Sequence, residues 1–121
     1  MKVLAVDDNK EITDMLTLYF EAQGIEFRAI NDGRQGLEVI RTPDSNLVLL
    51  DLAMPGFSGV DIVNYLTKEH QIESKNIIIF TASSVSDDLF DELKNIGVKG
   101  VLKKPVDMNA LEELITRFRP T

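Results

Sequence analysis

The sequence predicts an α/β fold, a doubly wound and five-stranded parallel sheet with helices on both faces. Five apolar runs of strand type alternate along the chain with five segments of helical periodicity. Several of these runs are continuously apolar, which is typical of parallel strands covered on both faces. Repeated strand–helix units of this kind form a parallel sheet, because each helix carries the chain back across the sheet to begin the next strand.

The predicted elements follow one another in (βα)5 order. The apolar runs predict strands at Val3–Val6, Glu26–Ile30, Leu47–Leu50, Ile77–Phe80 and Val98–Leu102. Apolar residues three or four positions apart predict a helix after each strand, within residues 12–20, 34–41, 60–68, 89–96 and 111–118. Capping residues agree with these boundaries, with N-caps expected at Ser58, Ser86 and Asp107 and helix C-termini at Gly24 and Gly97.

Composition excludes several classes of function. The chain of 121 residues has the size of one domain and contains no cysteine, which excludes disulfides, thiolate nucleophiles and cysteine-based zinc sites. The net charge is −7, from 13 basic and 20 acidic residues, so we expect no direct binding to nucleic acid. The N-terminal apolar run is too short for a signal peptide, and no run approaches the roughly 20 residues that span a bilayer. We therefore expect a cytoplasmic protein without membrane insertion.

Polar residues follow the strands, at the edge where an open α/β sheet carries its site. They are Asp7-Asp8-Asn9 after the first strand, Asp51 after the third, Thr81-Ala82-Ser83 after the fourth and Lys103-Lys104-Pro105 after the fifth. Because the carboxyl ends of parallel strands meet at one edge, three acids, a hydroxyl and a lysine are predicted to converge there. Asn31-Asp32-Gly33, after the second strand, is expected to lie to one side as a turn.

The three acids predict a cation site. Clustered carboxylates repel one another unless a cation joins them, and Mg²⁺ or Mn²⁺ suits all-oxygen ligands. Asp8 and Asp51 are candidate direct ligands, with Asp7 holding a bound water and a backbone carbonyl after Asp51 completing the shell. Asp8 also has capping-box spacing to Glu11, and Asp7 alone would fit a turn. The presence of both acids beside Asp51 favours the cation site.

Asp51 is also a candidate nucleophile toward phosphorus, since a carboxylate can form an aspartyl-phosphate. Phosphoryl transfer depends on positioning and on neutralising the phosphoryl oxygens. Lys104 can supply a point charge and Thr81 a hydrogen bond, although Thr81 alone would equally fit a turn. Backbone N–H groups of the loop after Asp51 can supply further donors, and Gly56 helps to keep that loop flexible.

Four short motifs occur at the predicted strand ends, AVDD (5–8), LLDLAMPGFSG (49–59), FTAS (80–83) and KKP (103–105). Together and in this order they closely resemble the response-regulator receiver domain of two-component signalling, in its chemotaxis-regulator-like form. The resemblance covers Lys2 to Phe118 and implies a single receiver domain over residues 1–121, with the flavodoxin-like strand order 2-1-3-4-5. It also implies a phosphorylation-dependent switch whose donor is a sensor histidine kinase or a phosphotransfer protein, with an unidentified output protein and a monomeric or weakly dimeric state.

The resemblance assigns roles to individual residues. It implies that Asp51 is the phospho-acceptor and that Asp7 and Asp8 are the acidic pair that holds Mg²⁺. The other assignments are the switch hydroxyl of Thr81, the basic side chain of Lys104, the metal-ligating backbone carbonyl of Ala53 and a cis bond before Pro105, a conformation largely confined to X–Pro.

Val101 departs from the family pattern, which has an aromatic residue at this position of the fifth strand. A valine has little to rotate, so we expect the signal to leave through the Thr81 loop and the face around the fourth helix, residues 86–96, together with the fifth strand and helix. Ala53 and Ser83, each two residues beyond a site residue, are small. We therefore expect an aspartyl-phosphate that is neither shielded by bulk nor assisted by an acid or amide.

Three alternatives remain beside the switch. A haloacid-dehalogenase-type phosphatase also uses an aspartate nucleophile, but it places a second Asp where this chain has Ala53, so we expect only self-catalysed phosphotransfer and autodephosphorylation. A flavodoxin-like cofactor site is disfavoured, because Asp7 and Asp8 would repel phosphate. The complete set of site residues argues against a phosphorylation-independent scaffold, although Val101 leaves room for one.

Overall fold

The computed structural model describes residues 1–82 and 85–120, which form strands and helices in the predicted alternation. The elements are β1 Lys2–Val6, α1 Lys10–Ala22, β2 Glu26–Ile30, α2 Gly33–Arg41, β3 Leu47–Leu50, α3 Gly59–Lys68, a 3₁₀ helix Ile72–Lys75, β4 Ile77–Thr81, α4 Asp87–Ile96, β5 Gly100–Lys103 and α5 Met108–Phe118. In the part of the chain so described, no helix has the length and apolar character needed to cross a membrane.

The five strands are parallel and lie in the order β2-β1-β3-β4-β5, which confirms the order that the resemblance implies. The chain passes from β1 to β2 on one side, and β3 then pairs with β1 on the other side. This reversal opens a crevice beyond the carboxyl ends of β1 and β3, where open α/β sheets bind ligands. Asp7 and Asp51 are the residues that directly follow these two strands.

Apolar side chains cover the sheet in two clusters, one on each face. Alternate residues of a strand point to opposite faces, so Leu4 and Val6 lie in one cluster and Val3 and Ala5 in the other. The first cluster packs α2, α3 and α4 on the sheet, and the second packs α1 and α5. Because both faces are buried, β3 is fully apolar and holds Asp51 at the end of a rigid strand.

Three helix N-caps lie at the residues that the sequence predicts, and the N-cap of α1 lies at a different residue from the alternative considered. Ser58, Ser86 and Asp107 each accept a hydrogen bond from a backbone N–H of the helix that follows, as predicted. Helix α1 is capped by Asn9, whose Oδ1 accepts from Ile12 N at 3.3 Å. The capping-box alternative for Asp8 is therefore wrong, and the Asp8 carboxylate is left for another role.

The fifth strand begins later than the apolar run predicts, at Gly100 instead of Val98. Val98 N donates to Leu93 O at 3.0 Å and so belongs to the turn that closes α4. Val98 is nevertheless buried, which explains why its apolar character resembled that of a strand residue. At the other end the strand extends to Lys103, which pairs with Thr81.

Candidate functional site

Three carboxylates converge at the carboxyl edge of the sheet. Oxygen atoms of Asp7, Asp8 and Asp51 all lie within 4.8 Å of one another. Asp7 is fully buried and Asp51 is 5% exposed, whereas Asp8 faces solvent. Two of these charges are therefore removed from water while they stand beside a third, an arrangement that favours a cation.

Asp7 is held through its backbone and both carboxylate oxygens. Its N–H donates to Ile30 O at 3.0 Å, and its Oδ1 accepts from Asn9 N at 2.9 Å. Its Oδ2 lies 2.5 Å from Lys104 Nζ and forms an ion pair with it. Apart from Lys104, no hydrogen-bond donor among the described residues is assigned to Asp7 Oδ2, so this buried anionic oxygen can still ligate a cation.

Asp51 lies in the centre of the site and is more loosely held. Its N–H donates to Val6 O at 3.0 Å, which continues the β1–β3 ladder. Its Oδ1 accepts from Ala53 N at 3.2 Å, and its Oδ2 lies 3.7 Å from Lys104 Nζ. The carboxylate thus faces the crevice with a cationic group nearby.

The pKa of Asp51 is raised above the ordinary aspartate value. Burial is the main cause and the charge of Asp7 the next, while Lys104 and the Ala53 N–H oppose them. The ionised form of Asp51 is consequently less stable here than in water, and a bound cation would relieve this cost. An all-oxygen donor set of three clustered carboxylates fits a hard cation such as Mg²⁺ or Mn²⁺.

Lys104 reaches the site from the end of β5. Its backbone N–H donates to Thr81 O at 2.9 Å, and the Lys104–Pro105 bond is cis, as the resemblance implies. The side chain is 11% exposed and passes the ring of Phe80, with Nζ 4.9 Å from the ring centroid. These contacts direct the ammonium group to Asp7 and Asp51.

The loop after Asp51 is packed down on the sheet at both of its ends. Met54 and Phe57 are buried, and Gly59 N donates to Leu52 O at 3.1 Å. A Cβ atom on Gly59 would lie 2.1 Å from Asp51 O, so only glycine permits α3 to begin this close to the end of β3. Gly56 has a φ of +81°, the conformation that a residue without a side chain adopts most readily.

The two predicted switch residues lie in different surroundings. Thr81 is the last residue of β4 and is 2% exposed. Val101 pairs with Ile79 and packs, half-buried, on the apolar cluster beneath α4, so the structure does not bring it into the polar group. Ser83 lies outside the described residues.

Asn31 is the site residue that the sequence did not predict. Its Nδ2 donates to Asp7 O at 2.8 Å, so the expectation that this segment lies to one side is wrong for Asn31. Asp32 caps α2 through Gln35 N, as a turn residue would. The signal available in the sequence was that a polar residue directly follows β2, the strand that pairs with β1.

An apolar groove of about 510 Å³ lies beside the acidic cluster. Ile12 and Met15 of α1 line one side, and Pro105 and Val106 line the other. Lys104 contributes to the groove as well as to the ion pair with Asp7, so the two features are continuous.

Comparison with known proteins agrees with this geometry. The sequence model of the family described as "Response regulator receiver domain" matches residues 3–116. The chain belongs to this family. The receiver is 31% identical over 118 residues to the DNA-binding response regulator MtrA of Mycobacterium tuberculosis, an alignment that covers 98% of the chain and 49% of that protein. It therefore spans about half the length of the mycobacterial relatives that it matches.

Other relatives are of similar length to this receiver. It is 29% identical over 121 residues to the sporulation initiation phosphotransferase F of Bacillus subtilis, covering 98% of the chain and 94% of that protein. Among solved structures, chemotaxis protein CheY4 of Vibrio cholerae has a TM-score of 0.82 at 28% identity, with 97% of each chain covered. TrrA of Thermotoga maritima, solved in complex with Mg(2+)-BeF, has a TM-score of 0.80 at 25% identity, again with 97% of each chain covered.

Proposed function

We propose that residues 1–121 form a single receiver domain in which Asp51 accepts a phosphoryl group and the modification changes the affinity for a partner protein. The observation that carries this proposal is the buried Asp51 carboxylate beside two other carboxylates and one ammonium group. Burying several charges together costs free energy, and clusters of this kind are found mainly where they bind a ligand or take part in chemistry.

In the proposed reaction, a carboxylate oxygen of Asp51 attacks the phosphorus of a phosphohistidine on the donor protein. A P–O bond forms, the P–N bond breaks, and its electron pair stays on the imidazole nitrogen of the donor. The position of Lys104 Nζ, 3.7 Å from Asp51 Oδ2, supports a role in neutralising the incoming phosphoryl group. The buried position of Thr81 at the end of β4 supports its assignment as the switch hydroxyl.

We assign the cation to Asp7, Asp8, Asp51 and the backbone carbonyl of Ala53, with Mg²⁺ or Mn²⁺ as the ion. The closeness of the three carboxylates and the raised pKa of Asp51 support this assignment. When bound, the cation supplies charge neutralisation for the transferred phosphoryl group. The task of this chain is to hold three carboxylates together and to keep the Asp51 carboxylate accessible.

The donor is proposed to be a sensor histidine kinase or a phosphotransfer protein that docks in the groove between Ile12, Met15, Pro105 and Val106. A protein donor must contact the surface around Asp51 to deliver its phosphoryl group, and this apolar groove adjoins Lys104. Substituting Ile12 by Lys is expected to slow transfer from a kinase that labels the wild type, without slowing labelling by acetyl phosphate. Val60→Lys on α3, whose valine is 48% exposed, is the control.

The receiver is proposed to act stoichiometrically and not as a turnover phosphatase. Ala53 occupies the position at which the haloacid-dehalogenase type needs an acid. The chain has a net charge of −7, which supports the proposal that this domain does not itself bind nucleic acid. Output is proposed to pass through the face formed by α4, β5 and α5, where the partner affinity would change.

Labelling with acetyl phosphate and Mg²⁺, followed by intact-mass spectrometry, tests the acceptor assignment. Wild-type protein is expected to gain one phosphoryl group, and Asp51→Asn none. Asp8→Asn should label more slowly because one proposed cation ligand is lost, and Asp44→Asn, on the exposed α2–β3 connection, should label normally. Wild-type stoichiometry in Asp51→Asn would overturn the assignment.

A further inference from the structure

One side-chain amide joins three elements behind the acidic cluster. Asn31, the residue that follows β2, donates from Nδ2 to Asp7 O at 2.8 Å and to Thr13 Oγ1 at 3.0 Å. Thr13 Oγ1 in turn donates to Lys10 O at 3.2 Å. The end of β2, the loop after β1 and the first turns of α1 are therefore connected through Asn31.

The connection holds the segment that carries Asp7 and Asp8. The N–H of Asp7 donates to Ile30 O and its C=O accepts from Asn31, so both backbone polar groups bond to consecutive residues at the end of β2. On the other side of Asp8, Asn9 caps α1 and donates its N–H to Asp7 Oδ1. Asp8 thus lies between two residues that are each fixed by hydrogen bonds.

Thr13 is the second part of this arrangement. It is 1% exposed, although it carries a hydroxyl on the inner face of α1. The hydroxyl bonds to both Asn31 and Lys10, which satisfies its donor and one of its acceptor positions. Asn31 itself is exposed. The buried Thr13 hydroxyl accepts a hydrogen bond from its amide and so fixes the orientation of the Asn31 side chain.

Mutual repulsion is the reason that such support matters. Three carboxylates within 4.8 Å would move apart if the loop after β1 were free to relax. Bringing them together again on binding would cost free energy, so a loop that is held in advance binds a cation more tightly. The hydrogen bond from Asn31 to Asp7 O opposes this relaxation, together with the bond from Asp7 N–H to Ile30 O.

We propose that Asn31 is a positioning residue that, with Thr13, holds Asp7 and Asp8 in the arrangement that binds a divalent cation. This inference rests on the proposed metal site. Asn31 lies outside the acidic cluster and acts through the backbone of Asp7. Its loss should weaken Mg²⁺ and Mn²⁺ binding more than it lowers the stability of the fold.

Calorimetric titration of the whole chain with MgCl₂ and with MnCl₂, beside urea unfolding without metal, tests the proposal. Asn31→Ala is expected to raise the Kd for both ions by about 10-fold, the lower end of the range for residues that support metal ligands. Thr13→Val removes the hydroxyl but leaves Asp7 O bonded to Asn31, so it should raise the Kd in the same direction by a smaller factor. The two effects should not add in the double variant, because they act through one contact.

Asn76→Ala is the matched control. Asn76 Nδ2 also donates to a backbone carbonyl, that of Asn46 at 2.9 Å, but at the amino end of the sheet. Asn76 has a φ of +49°, so alanine there should destabilise the fold at least as much as Asn31→Ala does. A purely structural role for Asn31 predicts equal losses of affinity in the two variants, whereas the proposal predicts an unchanged Kd in Asn76→Ala.

Two results would overturn the proposal and are distinguishable. A wild-type Kd in Asn31→Ala, or an equal loss in Asn76→Ala, would remove the positioning role while leaving the metal site intact. A wild-type protein that binds neither ion would instead remove the metal site itself, and the positioning role with it.

Discussion

Lys104 Nζ lies 2.5 Å from Asp7 Oδ2 and 3.7 Å from Asp51 Oδ2, so its ammonium group is closer to the deeper carboxylate than to the proposed acceptor. The Lys104 side chain is 11% exposed and that of Asp7 is fully buried. The lysine thereby supplies the positive charge that the acidic cluster needs in the absence of a bound cation. It remains close enough to Asp51 to act on a phosphoryl group there.

Lys104→Met is expected to destabilise the metal-free protein. Removing one partner of a buried ion pair costs about 3–5 kcal/mol, because the other charge stays buried without compensation. Mg²⁺ should restore much of the loss, since it would supply a second source of positive charge to Asp7. Urea unfolding with and without Mg²⁺ measures both effects.

Lys103→Met is the control for this prediction, since Lys103 is the exposed neighbour at the end of β5. The Lys103→Met variant should have nearly the same free energy of unfolding as the wild type, with or without Mg²⁺. A metal-free Lys104→Met protein as stable as Lys103→Met would contradict the buried ion pair.

Asp51→Asn is expected to stabilise the metal-free protein at neutral pH. The raised pKa of Asp51 shows that the ionised side chain costs free energy in the fold, through burial and the charge of Asp7. The variant should therefore have a higher Tm than the wild type in metal-free thermal unfolding, by roughly 3–5 °C for each 1 kcal/mol of penalty removed. Asp14→Asn, on the exposed side of α1, is the control.

The raised pKa of Asp51 also predicts how the stability difference between Asp51→Asn and wild type changes with pH. The penalty from ionised Asp51 is fully present above its raised pKa and is absent below the ordinary aspartate value of 3.8. The stability difference between Asp51→Asn and wild type should therefore shrink as the pH falls through the raised pKa. A difference that grows on acidification would contradict the raised pKa.

Gly59→Ala should displace the loop that follows Asp51. The added Cβ would lie 2.1 Å from Asp51 O and 2.8 Å from Leu52 Cα, both backbone atoms that cannot move independently. We expect a loss of about 2–3 kcal/mol in unfolding free energy, together with slower labelling by acetyl phosphate. Gly24→Ala, where a Cβ meets no atom within 4 Å, should cost about 1 kcal/mol from its positive φ and label normally.

Phosphorylation of Asp51 is expected to change the conformation of the Thr81 loop and of α4 while the Val101 side chain stays in place. The Val101 side chain packs on the apolar cluster beneath α4 and has no ring to rotate. Beryllofluoride with Mg²⁺ should therefore shift backbone amide resonances of α4 and leave the Val101 methyl resonances nearly unchanged. Large methyl shifts with an unaltered α4 would refute this route.

Glu69 and Arg41 form a second ion pair, remote from the site, with a predictable response to pH. Arg41 Nε and Nη2 donate to the two Glu69 oxygens at 3.0 and 2.5 Å, which joins the end of α2 to the end of α3. This bidentate hydrogen bonding lowers the pKa of Glu69. The resulting stability is present above the ordinary glutamate pKa and is lost as the pH falls through the lowered value.

Glu69→Gln should therefore have a lower Tm than wild type at neutral pH and the same Tm in strong acid. Glu73→Gln, at an exposed position of the 3₁₀ helix, should have the wild-type Tm at every pH. Thermal unfolding over a series of pH values measures the three curves, and a Tm difference that persists in strong acid would contradict the pairing.

The sequence by itself determined the fold and the convergence of the polar residues. Continuous apolar strands require cover on both faces, and parallel strands bring their carboxyl ends to one edge. The positions of Asp7, Asp51, Thr81 and Lys104 at or just beyond the ends of strands therefore predicted that they share one edge of the sheet. These deductions need only the periodicity of the chain and the direction of its strands.

The tertiary structure alone decided which side chains pair within that site. Asp7 instead of Asp51 is the closer partner of Lys104, and Asn31 bonds to the backbone of Asp7. The same holds for Asn9, which caps α1 in place of Asp8. These outcomes depend on local loop geometry and on how side chains from separate elements pack, neither of which periodicity along the chain specifies.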